Sequence, residues 1–327
     1  MSKLPKVTFG IVNCNRLHYF RSCLESLLYC TEDYPNKEII IIDNASVEAG
    51  TKEYLDEKEK QGHKVIRQKE RDPSNEFPRA LNLICENATG DYVCPLQGDV
   101  QFIIRGSWLK KYVEFCEKNK DYIGCVLLDA QRTIRNRSDS LAPTMGDFQF
   151  FYSLKRNPVS GAGDVFYTRK VIDNIFPWPI SNDNHEGSTA VGARKNQNDS
   201  ETTMIEKGKA YLESLGHTAY VSLPQVPVAA VIHTDPHGTN AVIRGDKRYG
   251  DYWAPKEDFK YYKIWEFDEI MEKYGSPRAY PVGIEDVVQT IGFVPPLDEY
   301  GNWKKNPGFD EYSMYGESIE KTVGVEI

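Results

Sequence analysis

Residues 38–46 read EIIIIDNAS, and this stretch decides the fold class. Its four consecutive isoleucines, Ile39–Ile42, are typical of a strand that is buried on both faces of a parallel sheet. The polar segment 43–46 that follows favours turns and helix caps, so the strand ends abruptly at Asp43. We therefore predict a central strand that carries Asp43 to the carboxyl edge of a parallel sheet, where ligands bind in such folds.

Strand-like and helix-like segments alternate around this strand over about the first 130 residues. This alternation predicts right-handed crossovers and a doubly wound α/β sheet with helices on both faces. The predicted strands are Val7–Val12, Tyr92–Leu96, Ile123–Leu128 and a weaker one at 65–66. Four helices are also predicted. The first begins near Leu17, and the second is a polar, charged helix that ends at about Gln61. The third contains Leu81 and is closed by Gly90, and the fourth contains Leu109.

The alternation breaks in the second half of the chain. Segments 132–144 and 181–198 are polar and rich in Gly and Asn, and we expect them to be functional loops. The second loop is expected to close over a ligand. Later patterns predict a helix at Met204–Leu215, a strand at Val226–Ile232 and a helix around Tyr261–Tyr274.

The domain organisation follows from these patterns. Residues 1–252 are predicted to form one domain, with a nucleotide-binding half at 1–105 and an acceptor half at 106–252. Residues 253–327 are predicted to form an irregular C-terminal extension. Its aromatic residues could be platforms for sugar rings, or could simply pack on the domain or in a homodimer contact: Trp253, Tyr261, Tyr262, Trp265 and Trp303.

Composition narrows the class of protein. The 48 acidic and 40 basic residues give a formal net charge of −8, which argues against a nucleic-acid or anionic-membrane partner. The seven cysteines show no C-x-x-C spacing, so we expect reduced thiols rather than disulfides or a metal cluster. The sequence has no leader pattern and no apolar run long enough for a transmembrane segment, and we expect a cytoplasmic protein.

Three segments in order resemble the inverting family-two group of GT-A glycosyltransferases. The first is VTFGIVNCNR (7–16) followed by EIIIIDNAS, and the second is RALNLICENATGDYVCPLQGD (79–99). The third, weaker segment is SGAGDVFYTRKVI (160–172), followed by an acidic helix start and a strand that ends in His233. The resemblance covers about residues 5–240 and is most specific over the first 105.

The resemblance implies both a fold and an activity. The fold is the GT-A fold, with a mostly parallel central sheet and helices on both faces. The activity is transfer of a sugar, with inversion, from a nucleotide-diphosphate sugar to a hydroxyl of a carbohydrate or glycoconjugate acceptor. A UDP-sugar is the favoured donor. The cofactor implied is Mn²⁺ or Mg²⁺.

Several polar residues are candidates for donor binding by this resemblance. Asp43 matches the residue that accepts hydrogen bonds from the base, and Asn13 and Asn15 end the neighbouring strand. A helix cap is the alternative role for the segment that contains Asp43. The other donor-site candidates are Asn44, Arg79, Gln97 and Asp164, with Asn82 a weaker one. Trp178 could stack on a sugar ring, although burial is the commoner use of Trp.

The implied metal site centres on Asp99. Related enzymes usually present Asp-x-Asp at this turn, whereas this chain has Gln97-Gly98-Asp99 and so lacks the first carboxylate. Gln97 could instead contact the ribose or a bound water. His233 is the second implied ligand, with His237 as its alternative, and imidazole suits Mn²⁺ beside oxygen ligands. A simple turn after the strand is the alternative role for Asp99.

The implied general base lies at the start of the helix over Met204–Leu215. Asp199 and Glu201 are both candidates, and Glu186 is a weaker one. Acidic residues also occur at helix starts because they compensate the helix dipole, and this alternative stays open.

Two other functions also stay open. A nucleotidyltransferase has a similar nucleotide-binding sheet, but it would have a Gly-rich basic loop where this chain has NCNR at 13–16. A dehydrogenase is not one of these two, because no G-x-G-x-x-G follows the first strand. A non-catalytic sugar- or nucleotide-binding module on the same fold is the other alternative, because the first carboxylate of the metal turn is missing.

Overall fold

The computed structural model describes twelve segments of the chain. They are residues 4–15, 17–72, 75–120, 123–129, 141–144, 150–153, 163–180, 200–214, 220–224, 226–231, 261–274 and 290–292. Within these segments, no helix has the length and apolar character needed to cross a bilayer.

Helices and strands alternate in the first half of the chain, as predicted. The helices in the described segments are α1 (Leu17–Cys30), α2 (Thr51–Lys60), α3 (Glu76–Asn87), α4 (Trp108–Asn119), α5 (Arg169–Ile175), α6 (Ser200–Ser214) and α7 (Phe267–Tyr274). The first seven strands are β1 (Val7–Asn13), β2 (Lys37–Asp43), β3 (Lys64–Arg67), β4 (Tyr92–Gln97), β5 (Val100–Phe102), β6 (Ile104–Arg105) and β7 (Ile123–Leu127). The later strands are β8 (Leu141–Thr144), β9 (Phe150–Ser153), β10 (Val165–Thr168), β11 (Tyr220–Pro224), β12 (Ala229–Val231), β13 (Tyr261–Tyr262), β14 (Trp265–Glu266) and β15 (Thr290–Gly292).

A nine-stranded sheet organises the described residues, with the strand order β3-β2-β1-β4-β10-β7-β11-β9-β8. Strands β3, β2, β1 and β4 are all parallel, and β7 is parallel to β11. Only β10 and β9 run against the other strands in this sheet. The predicted α/β class with a mostly parallel sheet is therefore confirmed.

The isoleucine run of β2 is buried on both faces, as its sequence predicts. Ile39 and Ile41 join one hydrophobic cluster, which includes Leu24 of α1 and Leu109 of α4. Ile40 and Ile42 join the cluster on the opposite face, which includes Leu81 of α3 and Ile172 of α5. Side chains that alternate between two apolar layers explain why this strand has no polar residue between Glu38 and Asp43.

Strand β10 differs from the purely parallel arrangement expected of the doubly wound half. It lies between β4 and β7 and is antiparallel to both. An inserted antiparallel strand begins at the edge where its parallel neighbours end. Asp164, the residue before β10, therefore lies beside the carboxyl ends of β4 and β7.

Gly90 has a different role from the one predicted. We expected it to close the helix around Leu81, but α3 ends at Asn87 with Ala88 as its C-cap. A Cβ atom at position 90 would lie 2.7 Å from the backbone nitrogen of Thr8, which is too close for a non-bonded contact. Glycine is needed here because two backbone segments approach closely.

Two late elements also differ from the prediction. The predicted strand over 226–232 is reduced to β12, which pairs with β5 outside the main sheet. The predicted helix over 261–274 begins with β13 and β14, and only its second half is helical. The side-chain amide of Gln101 explains part of this, because it bonds the backbone oxygen and nitrogen of Tyr262 at 2.9 and 3.0 Å. A backbone held in this way is unavailable for a helical turn.

Candidate active site

Polar side chains meet at the carboxyl edge of the sheet, where β1, β2 and β4 end. Asn13 is in register with Asp43, and Val12 is in register with Gln97. The three strand ends therefore place Asn13, Asp43 and Gln97 side by side. This is the edge at which parallel α/β sheets bind ligands.

The carboxylate of Asp43 is buried and held in one orientation. Oδ1 accepts hydrogen bonds from Asn13 Nδ2 at 2.8 Å and from Ser46 Oγ at 2.6 Å. Oδ2 accepts one from the backbone N–H of Ser46 at 3.1 Å. A carboxylate oxygen can accept two hydrogen bonds, so Oδ2 can receive another donor.

Ser46 links the loop after β2 to the loop after β1. Its hydroxyl accepts a hydrogen bond from the backbone N–H of Asn15 at 2.7 Å while it donates to Asp43. Asn15 in turn accepts, at its side-chain oxygen, hydrogen bonds from the backbone N–H groups of Val47 at 2.8 Å and Glu48 at 3.1 Å. The two loops form one hydrogen-bonded unit around Asp43.

Glu48 occupies the amino end of α1. Its Oε2 accepts a hydrogen bond from the backbone N–H of Leu17 at 2.6 Å, and the side chain is buried. A helix N-terminus attracts anions because its first N–H groups have no partner within the helix. Here a protein carboxylate already supplies that negative charge. A phosphate at this position would be repelled.

Ser46 and Glu48 were not predicted as site residues from the sequence. Both lie within five residues of Asp43, directly after the most hydrophobic strand. Their position directly after a buried strand could therefore have identified them as site residues. The bonds that they make depend on left-handed backbone at Asn15 (φ 55°) and Ala45 (φ 50°), which the residue types did not reveal.

Asn44 and Arg79 lie at the rim of the same edge. The backbone N–H of Asn44 donates to the carbonyl of Asn13 at 2.8 Å, and its side-chain oxygen accepts a hydrogen bond from Gln68. Arg79, in the first turn of α3, forms an ion pair with Asp72 at 2.9 Å, and both side chains are partly exposed. Their predicted contact with a donor remains a prediction.

Gln97 and Asp164 bind each other in two places. The backbone N–H of Gln97 donates to Asp164 Oδ1 at 2.7 Å, and Gln97 Nε2 donates to Oδ2 at 3.2 Å. Asp164 is only 1% exposed, has a left-handed backbone (φ 53°), and donates its own N–H to the carbonyl of Pro95 at 2.7 Å. Its carboxylate is therefore fixed at the end of β4.

Asp99 lies in the turn between β4 and β5 and is buried. Cys23 of α1 lies beneath this turn, and its thiol contacts the carbonyl of Gln97 at 3.7 Å. Burial raises the pKa of Cys23 well above its ordinary value, and the carboxylates of Asp164 and Asp99 raise it further. The carboxylates of Asp164 and Asp99 thus both lie close to the Cys23 thiol at the end of β4.

Strand β12 runs towards Asp99. Its last residue, Val231, pairs with Val100, the residue directly after Asp99. The predicted ligand His233 follows two residues later and lies outside the described residues, as does its alternative His237. In the segments that the structure describes, no group of three or more His, Cys, Asp or Glu side chains could hold a metal ion.

The remaining candidates divide between residues that the structure describes and residues that it does not. Asp199, Glu186 and the predicted closing loop at 181–198 lie outside the described residues, whereas the backbone of Glu201 lies in the first turn of α6. Trp178 is 1% exposed, and its backbone oxygen and nitrogen bond the Asn82 side chain at 2.9 and 2.7 Å. Of the two roles considered for Trp178, burial is therefore confirmed rather than stacking on a sugar, and the side chain of Asn82 holds the backbone of Trp178 in place.

Comparison with known proteins identifies the family and the fold. The sequence model of "Glycosyl transferase family 2" matches residues 8–176 of the 327 residues. The chain is also 30% identical over 126 residues to the uncharacterized protein y4gI of Sinorhizobium fredii (strain NBRC 101917 / NGR234). That match covers 38% of this chain and 13% of y4gI.

Two similar solved structures are of S. aureus TarS and of a mannosyltransferase from Pyrobaculum calidifontis. S. aureus TarS 1-349 in complex with UDP-GlcNAc has a TM-score of 0.51 and 14% identity, over 72% of this chain and 61% of that chain. The mannosyltransferase PcManGT from Pyrobaculum calidifontis, in complex with GDP-Man and Mn²⁺, has a TM-score of 0.49 and 17% identity. That similarity covers 74% of this chain and 61% of the PcManGT chain. The GT-A fold expected from the sequence is confirmed.

Proposed function

Because the chain belongs to glycosyl transferase family 2, we propose that it transfers a sugar from a nucleotide-diphosphate sugar to an acceptor hydroxyl, with inversion. The favoured donor is a UDP-sugar, and the acceptor is a carbohydrate or glycoconjugate. The observation that carries this proposal is the buried carboxylate of Asp43, held by Asn13 and Ser46 at the carboxyl edge of the sheet.

Asp43 is suited to recognise the base of the donor. Its Oδ2 has capacity for one more hydrogen bond, and the imide N–H of uracil is a donor of the right kind. A carboxylate that is already oriented loses little conformational entropy when it binds. The S. aureus TarS structure that shares this fold contains UDP-GlcNAc, which supports a donor of this class.

The diphosphate requires a different partner. The carboxylate of Glu48 occupies the amino end of α1, so that helix end is closed to phosphate. We propose that the diphosphate instead binds to Mn²⁺ or Mg²⁺, with Asp99 as one ligand of the metal ion and His233 as another. The register of β12 supports His233, because Val231 lies beside Val100. A divalent ion would neutralise the diphosphate as it leaves.

The other predicted residues complete the proposed site. Gln97 and Asp164 are bonded to each other at the end of β4, and we assign both to the binding of the donor sugar. Asn15 and Asn44 shape the base pocket, and Arg79 lies at its rim. Asp199 and Glu201 remain alternative general bases because they flank the residue at which α6 begins. We also retain a cytoplasmic location and a possible homodimer as proposals.

Donor hydrolysis and transfer test this function directly. The purified protein would be incubated with UDP-glucose, UDP-GlcNAc, UDP-galactose, GDP-mannose or a dTDP-sugar and with Mn²⁺, and release of the nucleotide diphosphate would be measured. We expect release to be fastest from a UDP-sugar and to be abolished in the Asp99→Asn variant. A wild-type protein that neither releases a nucleotide diphosphate from any of these donors nor transfers their sugar would overturn the proposal.

A non-catalytic nucleotide-sugar-binding module is the second candidate. It is favoured by the amide at position 97, where related enzymes usually have a carboxylate. Tight UDP-sugar binding without hydrolysis, and without transfer to any acceptor in a glycan panel, would establish this alternative. The Glu48 cap argues against a nucleotidyltransferase that binds phosphates at the end of its first helix.

A further inference from the structure

The pair formed by Gln97 and Asp164 joins two elements that are distant in sequence. Gln97 ends β4, and Asp164 precedes β10, which runs antiparallel beside it. The backbone and side chain of Gln97 donate to both carboxylate oxygens of Asp164, at 2.7 and 3.2 Å. Gln97 thus bonds both oxygens of one buried carboxylate.

The two side chains are chemically matched. An amide faces a carboxylate as a hydrogen-bond donor, whereas a second carboxylate at this distance would repel it. Asp164 also has a left-handed backbone (φ 53°), which Asp and Asn tolerate better than most residues. The amide at position 97 is therefore tied to the acid at position 164, and the two positions have to be considered together.

We propose that Gln97 is a positioning residue that holds the carboxylate of Asp164. The pair thereby gives the donor site one negative charge, which is carried by Asp164 and not by the residue at position 97. The inference rests on the proposed function, because it assigns the charge to the donor site. Asp99 supplies the neighbouring carboxylate two residues after Gln97. A divalent cation and a diphosphate would then face two acidic residues despite the missing carboxylate at position 97.

The surroundings of the pair support this reading. In the part of the chain that the structure describes, Asp99 and Cys23 are titratable groups near the pair. The thiol of Cys23 is fully buried, and its pKa is raised by burial and then by the carboxylates of Asp164 and Asp99. Two carboxylates therefore lie close together at the end of β4, where the proposed donor and its cation would bind.

An isosteric cycle of variants tests the pair itself. Gln97→Glu, Asp164→Asn and the double variant change charge without changing side-chain length, and Asn accepts the left-handed backbone. In Gln97→Glu two carboxylates face each other, which raises their folded pKa above the unfolded value. Stability is then lost as pH rises, so we expect the melting temperature to fall further below wild type at pH 8 than at pH 5. The double variant should recover most of that loss because it restores one amide and one carboxylate.

Binding of UDP in the presence of Mn²⁺, measured by calorimetry, tests the role in the site. We expect Asp164→Asn to weaken binding at least tenfold, and Gln97→Glu/Asp164→Asn to return it to within about threefold of wild type. A Gln97→Glu variant as stable as wild type at pH 8, or an Asp164→Asn variant with unchanged affinity, would overturn the inference. Failure of the wild-type protein to bind UDP would instead overturn the proposed function. The melting temperatures would still test the interaction between residues 97 and 164.

Discussion

The side-chain amide of Asn13 lies 2.8 Å from the carboxylate of Asp43, and this hydrogen bond joins the ends of the neighbouring strands β1 and β2. It fixes the rotamer of a buried acid before any ligand arrives. The same carboxylate is bonded by Ser46 on the other side. A group oriented in this way is a recognition element rather than a flexible surface charge.

Replacing Asp43 should weaken nucleotide binding. We expect Asp43→Ala to reduce UDP affinity by about 1.5–3 kcal/mol, the range for a hydrogen bond to a charged group. Calorimetry would measure it, and circular dichroism would show that the variant is folded. Asp33→Ala is the matched control, because Asp33 is exposed and follows α1 at the opposite edge of the sheet. Unchanged UDP affinity in folded Asp43→Ala would rule out this role.

Replacing Ser46 should give a smaller effect of the same kind. Ser46→Ala removes the hydroxyl that bonds Asp43 and accepts from Asn15. We expect UDP affinity to fall by about 0.5–1.5 kcal/mol, the net value of an ordinary hydrogen bond. Ser107→Ala is a suitable control because Ser107, the N-cap of α4, makes no side-chain cap hydrogen bond. Equal UDP affinity in wild type and Ser46→Ala would show that Asp43 does not depend on Ser46.

Metal removal should separate nucleotide binding from turnover. We expect EDTA to abolish release of nucleotide diphosphate and added Mn²⁺ to restore it. Asp99→Asn should lose at least 90% of activity at saturating Mn²⁺, because the carboxylate is a far better ligand than the amide. UDP affinity without metal should be nearly the same in the variant and wild type. Full turnover in excess EDTA would contradict the metal proposal.

The extent to which sequence could predict the site depended on the range of the interactions. The isoleucine run predicted β2 and the position of Asp43, because burial on both faces leaves a local signature in the sequence. The antiparallel direction of β10 was not predictable, since VFYT at 165–168 would suit a strand of either direction. The Gln97–Asp164 bond depends on that direction. It was missed although both residues were individually predicted.

Stability should depend on pH through Glu38, at the edge of the sheet opposite the site. Partial burial alone would raise the pKa of its carboxyl, but hydrogen bonds from Lys6, Thr8 and Thr89 lower it to about 2. Since the folded pKa lies below the ordinary value, this contribution is full above about pH 4.5 and is lost as pH falls towards 2.

Glu38→Gln should therefore reduce stability at pH 7 by about 1–2 kcal/mol, a range that allows for solvent screening. It should also make the loss of stability below pH 4.5 less steep. Urea unfolding at pH 7, 4 and 3 would measure both effects. The control is Glu70→Gln, because Glu70 is exposed. A variant with the same pH dependence as wild type would show that Glu38 contributes nothing.

The role of the C-terminal extension in acceptor binding needs a truncation placed after residue 292. Truncation after Trp253 would remove Ile264, Trp265, Ile270 and Tyr274, all of which are buried in the main hydrophobic cluster. Each such side chain contributes about 1.5–3 kcal/mol. The loss would approach the roughly 5–15 kcal/mol that stabilises a typical protein. That truncated protein is expected to unfold, and its inactivity would say nothing about acceptors.

The burial of Trp265 also changes which aromatic residues can bind an acceptor. Trp265 is 2% exposed and lies against Lys263, so the predicted stacking of a sugar on it is wrong. Trp303 lies outside the described residues and remains a candidate platform. Truncation after Gly292 keeps β15, which pairs with β13, and removes 293–327. We expect a melting temperature close to that of the full chain, intact donor hydrolysis and reduced transfer. Transfer at the normal rate by this truncated protein would show that residues 293–327 do not bind the acceptor.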